Sequence, residues 1–152
     1  MVNSEDAKYI LSEIRSMPYY ESKIALIMYR LAEIDIAIER LNEPASPNGG
    51  TDVMVKGKEV RIKVAGHGTG KEAILAGYIT SQKPLEQELI EWKNRYARAG
   101  MYKTLLLQSK DGNFARDFLE GKKRYRDLEK EYFVSNAYDK MIRIITQTIE
   151  RT

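Results

Sequence analysis

Apolar residues recur along this chain at helical spacing through most of its length. The clearest run is Tyr20, Ile24, Ile27, Leu31, Ile34, Ile38 and Leu41, which step by 4, 3, 4, 3, 4 and 3. A stripe of that period over three heptads predicts a long helix whose apolar seam needs a partner helix. Leu85, Leu89, Trp92, Tyr96 and Ala99 repeat the steps 4, 3, 4 and 3. The second stripe is therefore the natural partner of the first, within one chain or across a dimer. Ahead of both, Ser4, Glu5 and Asp6 signal a helix start. Ile10, Leu11 and Ile14 give that first helix a short apolar face, and Pro18 ends or bends it.

Between the stripes the pattern changes. Residues 42–51 are rich in Pro, Gly, Asn and Ser and read as a loop. Val53, Val55, Val60, Ile62 and Val64 then alternate around Lys56-Gly57-Lys58, which predicts a small β-hairpin near 52–64. A lone hairpin is marginal in water, so it must lean on the helices or on another chain. Gly66-His67-Gly68-Thr69-Gly70 reads as a flexible loop. Helix returns with Ala73, Ile74, Leu75 and Tyr78, and Ser81 with Pro84 marks a new start. Gly100 weakens the following helix by roughly 1 kcal/mol relative to Ala, so a bend or break is expected there. Helical character resumes through Leu105, Leu106 and Leu107 as far as Asp111-Gly112-Asn113.

The last forty residues carry their own punctuation. Asn113 can cap a helix bearing Phe114, Phe118 and Leu119, which Gly121 closes. A second helix runs from Tyr125 to Tyr132 around Leu128. Phe133-Val134-Ser135 forms a tight corner, and Ser135 or Asn136 caps a third helix with Met141, Ile142, Ile145 and Ile149 on its apolar side. Short helix, corner, longer helix is the order of a helix-turn-helix. Three residues depart from that pattern: Glu129 stands where a small residue is usual, Phe133 where Gly is usual, and Asp139 where a buried aliphatic is usual. Tyr138 or Met141 would have to fill the space that Asp139 leaves. A plain helical hairpin is the alternative. The chain is thus expected to be mainly α, with a helical domain over 1–111 that includes the hairpin and a helix-turn-helix-like module over 112–152.

Composition sharpens this picture in two ways. Hydrophobic residues at 43% suffice for a core, while charged residues at 31% exceed the globular average of about 25% and favour solvated helices. The net charge of +3 is unevenly spread: residues 93–126 hold ten basic against three acidic side chains. Such clustering is the electrostatic footprint of a polyanion binder. Lys122, Lys123, Arg124 and Arg126 sit at the mouth of the proposed motif and are expected to contact phosphates. Ser135, Asn136, Lys140 and Arg143 complete the expected DNA-facing set. Asn136 would pair with adenine and Lys140 with guanine, while Asp139 beside them must be turned inward, capped or paired with Arg143 at spacing four.

Other chemistry is poorly served. There is no Cys, hence no disulfide framework and no thiolate metal site. Gly66 to Lys71 tempts towards a phosphate-binding loop, but three residues separate Gly66 from Gly70 where four are needed, and Glu72 follows Lys71 where Ser or Thr should hold the metal. His67 is the single His, too little for a catalytic constellation. Glu88 and Glu91 share a helix face but lack a third ligand. No cofactor, no metal and no enzymatic activity are expected. Glu5, Asp6 and Lys8 stand where a signal peptide would place an apolar run, and Ile24 to Ile38 is broken by Arg30, Glu33 and Asp35, so no signal peptide or membrane span is read and the cytoplasm is the expected address.

The layout also resembles a family. Phage late-gene transcriptional activators of the RinA and ArpU type are similar in length, with helices first and a sigma-region-four-like helix-turn-helix last. The residues that carry the resemblance are Asn48-Gly49-Gly50 after the first helical region, then Phe118-Leu119-Glu120-Gly121 through Tyr125, Leu128 and Val134-Ser135 to Ile145. The resemblance implies a phage or prophage regulator of transcription that binds double-stranded DNA and acts at a promoter or on RNA polymerase. The competing expectation is a helical, homo-oligomeric assembly or packaging protein without sequence-specific DNA binding.

Overall fold

The computed structural model describes residues 2–42, 50–55, 58–63 and 69–150. Asn48-Gly49, Lys56-Gly57 and Gly66-His67-Gly68 lie outside the described residues. Within them the chain is mainly helical: α1 (Ser4–Arg15), α2 (Met17–Asn42), α3 (Thr69–Gln108), α4 (Gly112–Glu120), α5 (Tyr125–Glu131) and α6 (Ala137–Glu150). Two strands, β1 (Gly50–Val55) and β2 (Lys58–Lys63), pair antiparallel with Val53 opposite Val60 and Thr51 opposite Ile62. No described helix is long and apolar enough to cross a membrane.

Local chemistry explains the helix ends. The side chain of Asn3 accepts from the Asp6 backbone N–H at 2.9 Å, and the Asn3 N–H donates to the Asp6 carboxylate at 3.1 Å. This is a reciprocal capping box one residue earlier than Ser4 suggested. A single residue, Ser16, separates α1 from α2, and Pro18 falls in the first turn of α2, where its missing N–H costs nothing. Pro84 does not start a new helix and Gly100 does not break one, because α3 runs through both. Thr80 and Pro84 are exposed, so water can take the Thr80 carbonyl that Pro84 leaves without a donor. A Cβ at Gly100 would meet only the Met17 terminal methyl, at an ordinary 3.6 Å, so packing does not require Gly there.

The chain divides into two compact units, residues 22–92 and residues 1–21 with 93–152. The division does not fall at residue 111, because the C-terminal helices share their core with α1 and the end of α3.

In the first unit, Ile24, Ile27, Leu31, Ile34, Ile38 and Leu41 are buried or half-buried while most of their neighbours on α2 are exposed. Leu85, Leu89 and Trp92 are half-buried on α3, and the stripe extends back through Leu75, Tyr78 and Gln82. The two helices are joined where the Gln82 amide donates to the Asp35 carboxylate at 2.7 Å. Glu88 accepts from the Trp92 indole at 3.3 Å.

In the second unit, Ala7, Ile10, Leu11 and Ile14 form the buried face of α1, at the i, i+3, i+4, i+7 positions of a helix stripe. They join Leu106, Phe114, Phe118, Leu128, Met141 and Ile145 in one core, with α1 lying against α6. Three helices as short as α4, α5 and α6 cannot enclose a core alone, and α1 supplies the missing wall. At the edge of this unit Arg95 donates to the Glu13 carboxylate at 2.7 Å and to the Tyr20 hydroxyl at 2.9 Å. Its guanidinium also lies 4.8 Å from the centre of the Tyr20 ring.

Candidate nucleic-acid interface

Leu128, only 1% exposed, fixes α5 to the core. The helix ends where the Tyr132 N–H reaches the Leu128 carbonyl at 3.0 Å, and the Val134 N–H then folds back to the Glu129 carbonyl at 2.9 Å. Between them Phe133 adopts φ 56°, a left-handed conformation that side chains tolerate poorly and Gly accepts freely. Gly is usual at this corner for that reason. Asn136 then starts α6: its side chain accepts from the Asp139 N–H at 3.0 Å and its carbonyl from the Lys140 N–H at 3.0 Å. Of the two residues read as possible caps, Asn136 is the one that caps.

Phe133 gives a direct test of this corner. Its side chain is 94% exposed, so Phe133→Gly removes strain without opening a cavity. Relief of the left-handed penalty, about 1–2 kcal/mol, should exceed the added chain entropy of Gly, about 0.5–1 kcal/mol. A rise in the urea midpoint is the expected result, and a fall would mean that the Phe133 ring makes stabilising contacts.

The other two departures resolve differently. Asp139 is exposed, and Ala137 and Met141 on the next positions of α6 are buried at 1% and 0%. The core therefore closes beside Asp139 rather than on it. Glu129 is half-buried, with one carboxylate oxygen that finds no partner among the described residues. Opposite the buried face, Asn136, Asp139, Arg143 and Gln147 form an exposed stripe along α6. Ser135, Asn136, Asp139 and Lys140 meet in a shallow depression of about 260 Å³ bounded by Phe133, Val134 and Arg143. Four of the residues expected to face DNA are thus brought together. Asp139 and Arg143 share this depression, yet no ion pair joins them among the described residues.

Lys140 is held differently from the rest. It is half-buried, with its ammonium 5.5 Å from the centre of the Phe114 ring, a contact that sequence spacing could not show because Phe114 belongs to α4.

Of the basic cluster, Lys122, Arg124 and Arg126 are exposed on the link into α5 and its first turn. Lys123 is engaged instead: its ammonium lies 2.6 Å from Glu131 and 3.4 Å from Asp117. Tyr132 donates to the same Asp117 carboxylate at 2.5 Å. That hydrogen bond, and then the Lys123 charge, hold Asp117 below the usual carboxylate range against some desolvation. The Glu131 hydrogen bond in turn pushes the Lys123 ammonium up. The network ties the end of α4 to the end of α5 and sets the angle at which the corner is presented.

No protein-family model, curated protein or solved structure matches this chain. Residue chemistry alone therefore bears on what the corner does. One contributor was not singled out beforehand: Arg15, in the last turn of α1. It donates to the Tyr125 hydroxyl at 2.9 Å and lies 5.1 Å from the centre of the Phe118 ring, which itself stacks on Tyr125 at 5.2 Å. Arg15 thereby pins the start of α5 to α1.

Proposed function

We propose that this protein binds double-stranded DNA through the α5–α6 corner, as a transcriptional regulator similar to the phage late-gene activators. The observation that carries the reading is the exposed polar stripe that opens α6. It begins at a capped Asn136 behind a corner closed by backbone hydrogen bonds, and helix-turn-helix proteins insert that end of the second helix into the major groove. Lys122, Arg124 and Arg126 supply exposed charge for phosphates, whereas Lys123 serves the ion-pair network. The acidic Asp139 beside Arg143 favours a fixed approach to the groove over indiscriminate attachment, because it repels any phosphate that comes close.

The test is binding of the full chain to mixed-sequence duplex DNA at about 50 and 200 mM salt, where phosphate-driven affinity must fall steeply. Changing Lys122, Arg124 and Arg126 together to Gln should flatten the salt slope by up to about three units. Lys123→Gln should leave the slope unchanged and lower stability instead. Absence of binding at low salt would overturn the reading, and an unchanged slope in the triple variant would remove the cluster from the interface.

A further inference from the structure

The buried seam of α2 is not its only apolar face. Ala25, Tyr29, Ala32 and Ile36 step by 4, 3 and 4 on the side of the helix opposite that seam, and all four are exposed. Leu26 and Met28 flank them, also exposed. Single exposed apolar residues need no explanation, but a second heptad stripe on one helix does. Its sizes alternate: small, large, small, large.

We propose that this outer face of α2 is a homodimer interface in which two copies of α2 pack antiparallel about a two-fold axis. The alternation is what commits the occupant to a second copy. Positions 25 and 36, and positions 29 and 32, share one midpoint, between Arg30 and Leu31. A two-fold axis through that midpoint sets Ala25 against Ile36 of the partner subunit and Tyr29 against Ala32 of the partner subunit. Every layer then joins one small and one large side chain, which gives the even spacing that helix packing requires. A two-fold interface must be self-complementary in this way, with each residue pair occurring twice. Parallel pairing would instead stack Tyr29 on Tyr29 of the partner subunit and Ala32 on Ala32 of the partner subunit, with bulging layers beside empty ones. Six exposed side chains per protomer place the contact near the lower bound of specific interfaces, about 1,200 Å² in total. The dimer should therefore be reversible and of roughly micromolar strength. The proposal does not depend on DNA binding.

Absence of Cys makes the test clean. Chains carrying Ala25→Cys and Ile36→Cys are oxidised separately and as an equimolar mixture. Antiparallel pairing predicts a disulfide-linked dimer in the mixture that neither variant forms alone. Self-linking of each variant, with none added on mixing, would overturn the antiparallel arrangement. Sedimentation equilibrium gives a second measure that does not need a disulfide. Ala32→Glu places a charge against Tyr29 of the partner subunit on a surface that is exposed in the single chain, so the helical circular dichroism should hold while self-association weakens at least about tenfold. A chain that stays monomeric to high micromolar concentration, or an Ala32→Glu chain that associates as the parent does, would refute the interface.

Discussion

Phe114→Ala is expected to destabilise the unit of residues 1–21 and 93–152 by about 3–5 kcal/mol, the usual cost of emptying a buried aromatic site. Phe114 is 2% exposed, and its ring meets Tyr132 edge-on at 5.2 Å and Phe118 at 6.1 Å. The surrounding helices are short and pinned by Arg15 and Lys123, so they have little freedom to collapse into the gap. With a total stability of about 5–15 kcal/mol for an ordinary domain, such a loss is a large fraction. Each kcal/mol shifts the melting temperature by about 4–8 °C in a unit of this size, so a fall of at least about 12 °C should appear by circular dichroism or calorimetry. A shift below about 4 °C would mean that Phe114 is not the centre of the core. The same variant removes the ring beneath the Lys140 ammonium.

The second large effect concerns Arg95. Glu13 is 9% exposed, and burial alone would raise its pKa. Hydrogen bonds from Arg95 and Tyr20, together with the Arg95 charge, outweigh burial and hold the carboxyl below its ordinary range. A depressed folded-state pKa stabilises the fold above the unfolded value of about 4.3 and is lost as pH falls through the folded value. Arg95→Ala leaves the Tyr20 and Tyr9 hydroxyls to offset the burial of the carboxylate. Less of the burial is then offset, so the pKa moves up and the stabilisation at neutral pH shrinks. Leaving a charged group so compromised costs about 1–3 kcal/mol, below the full penalty of a deeply buried pair because Arg95 itself is partly solvated. Urea melts should therefore show the largest deficit of Arg95→Ala at neutral pH and a smaller one near pH 4. A deficit that does not vary with pH would show that charge compensation at Glu13 is not the role of Arg95.

These two sites mark the boundary of what was legible in advance. The seams at 20–41 and 85–99 were readable because a heptad period carries its own geometry, and burial follows that period on both helices. The corner was readable because Phe133-Val134-Ser135 separates two helical runs and Asn136 can cap the second. Pro84 and Gly100 were misread because local propensity was taken to outrank packing. On a helix of 40 residues with an apolar seam, one exposed Pro does not decide continuity. The docking of α1 could not be foreseen, since its apolar face names no partner and α6 lies more than a hundred residues away. Lys123 joined the phosphate cluster on density alone. Its partners, Asp117 six residues before and Glu131 eight after, stand at spacings that no single helix would bring together.

The contact between α1 and the C-terminal helices has a consequence for how the chain is made. Arg15 and Tyr125 are 110 residues apart, which at about 5–20 residues per second is a wait on the order of ten seconds during translation. Residues 22–92 are contiguous and can close on themselves during that interval. Ala7, Ile10, Leu11 and Ile14 cannot, because the surface that buries them has not yet been synthesised. Nascent α1 is therefore the segment on which a ribosome-associated chaperone would find its apolar target, and release would coincide with the emergence of α6.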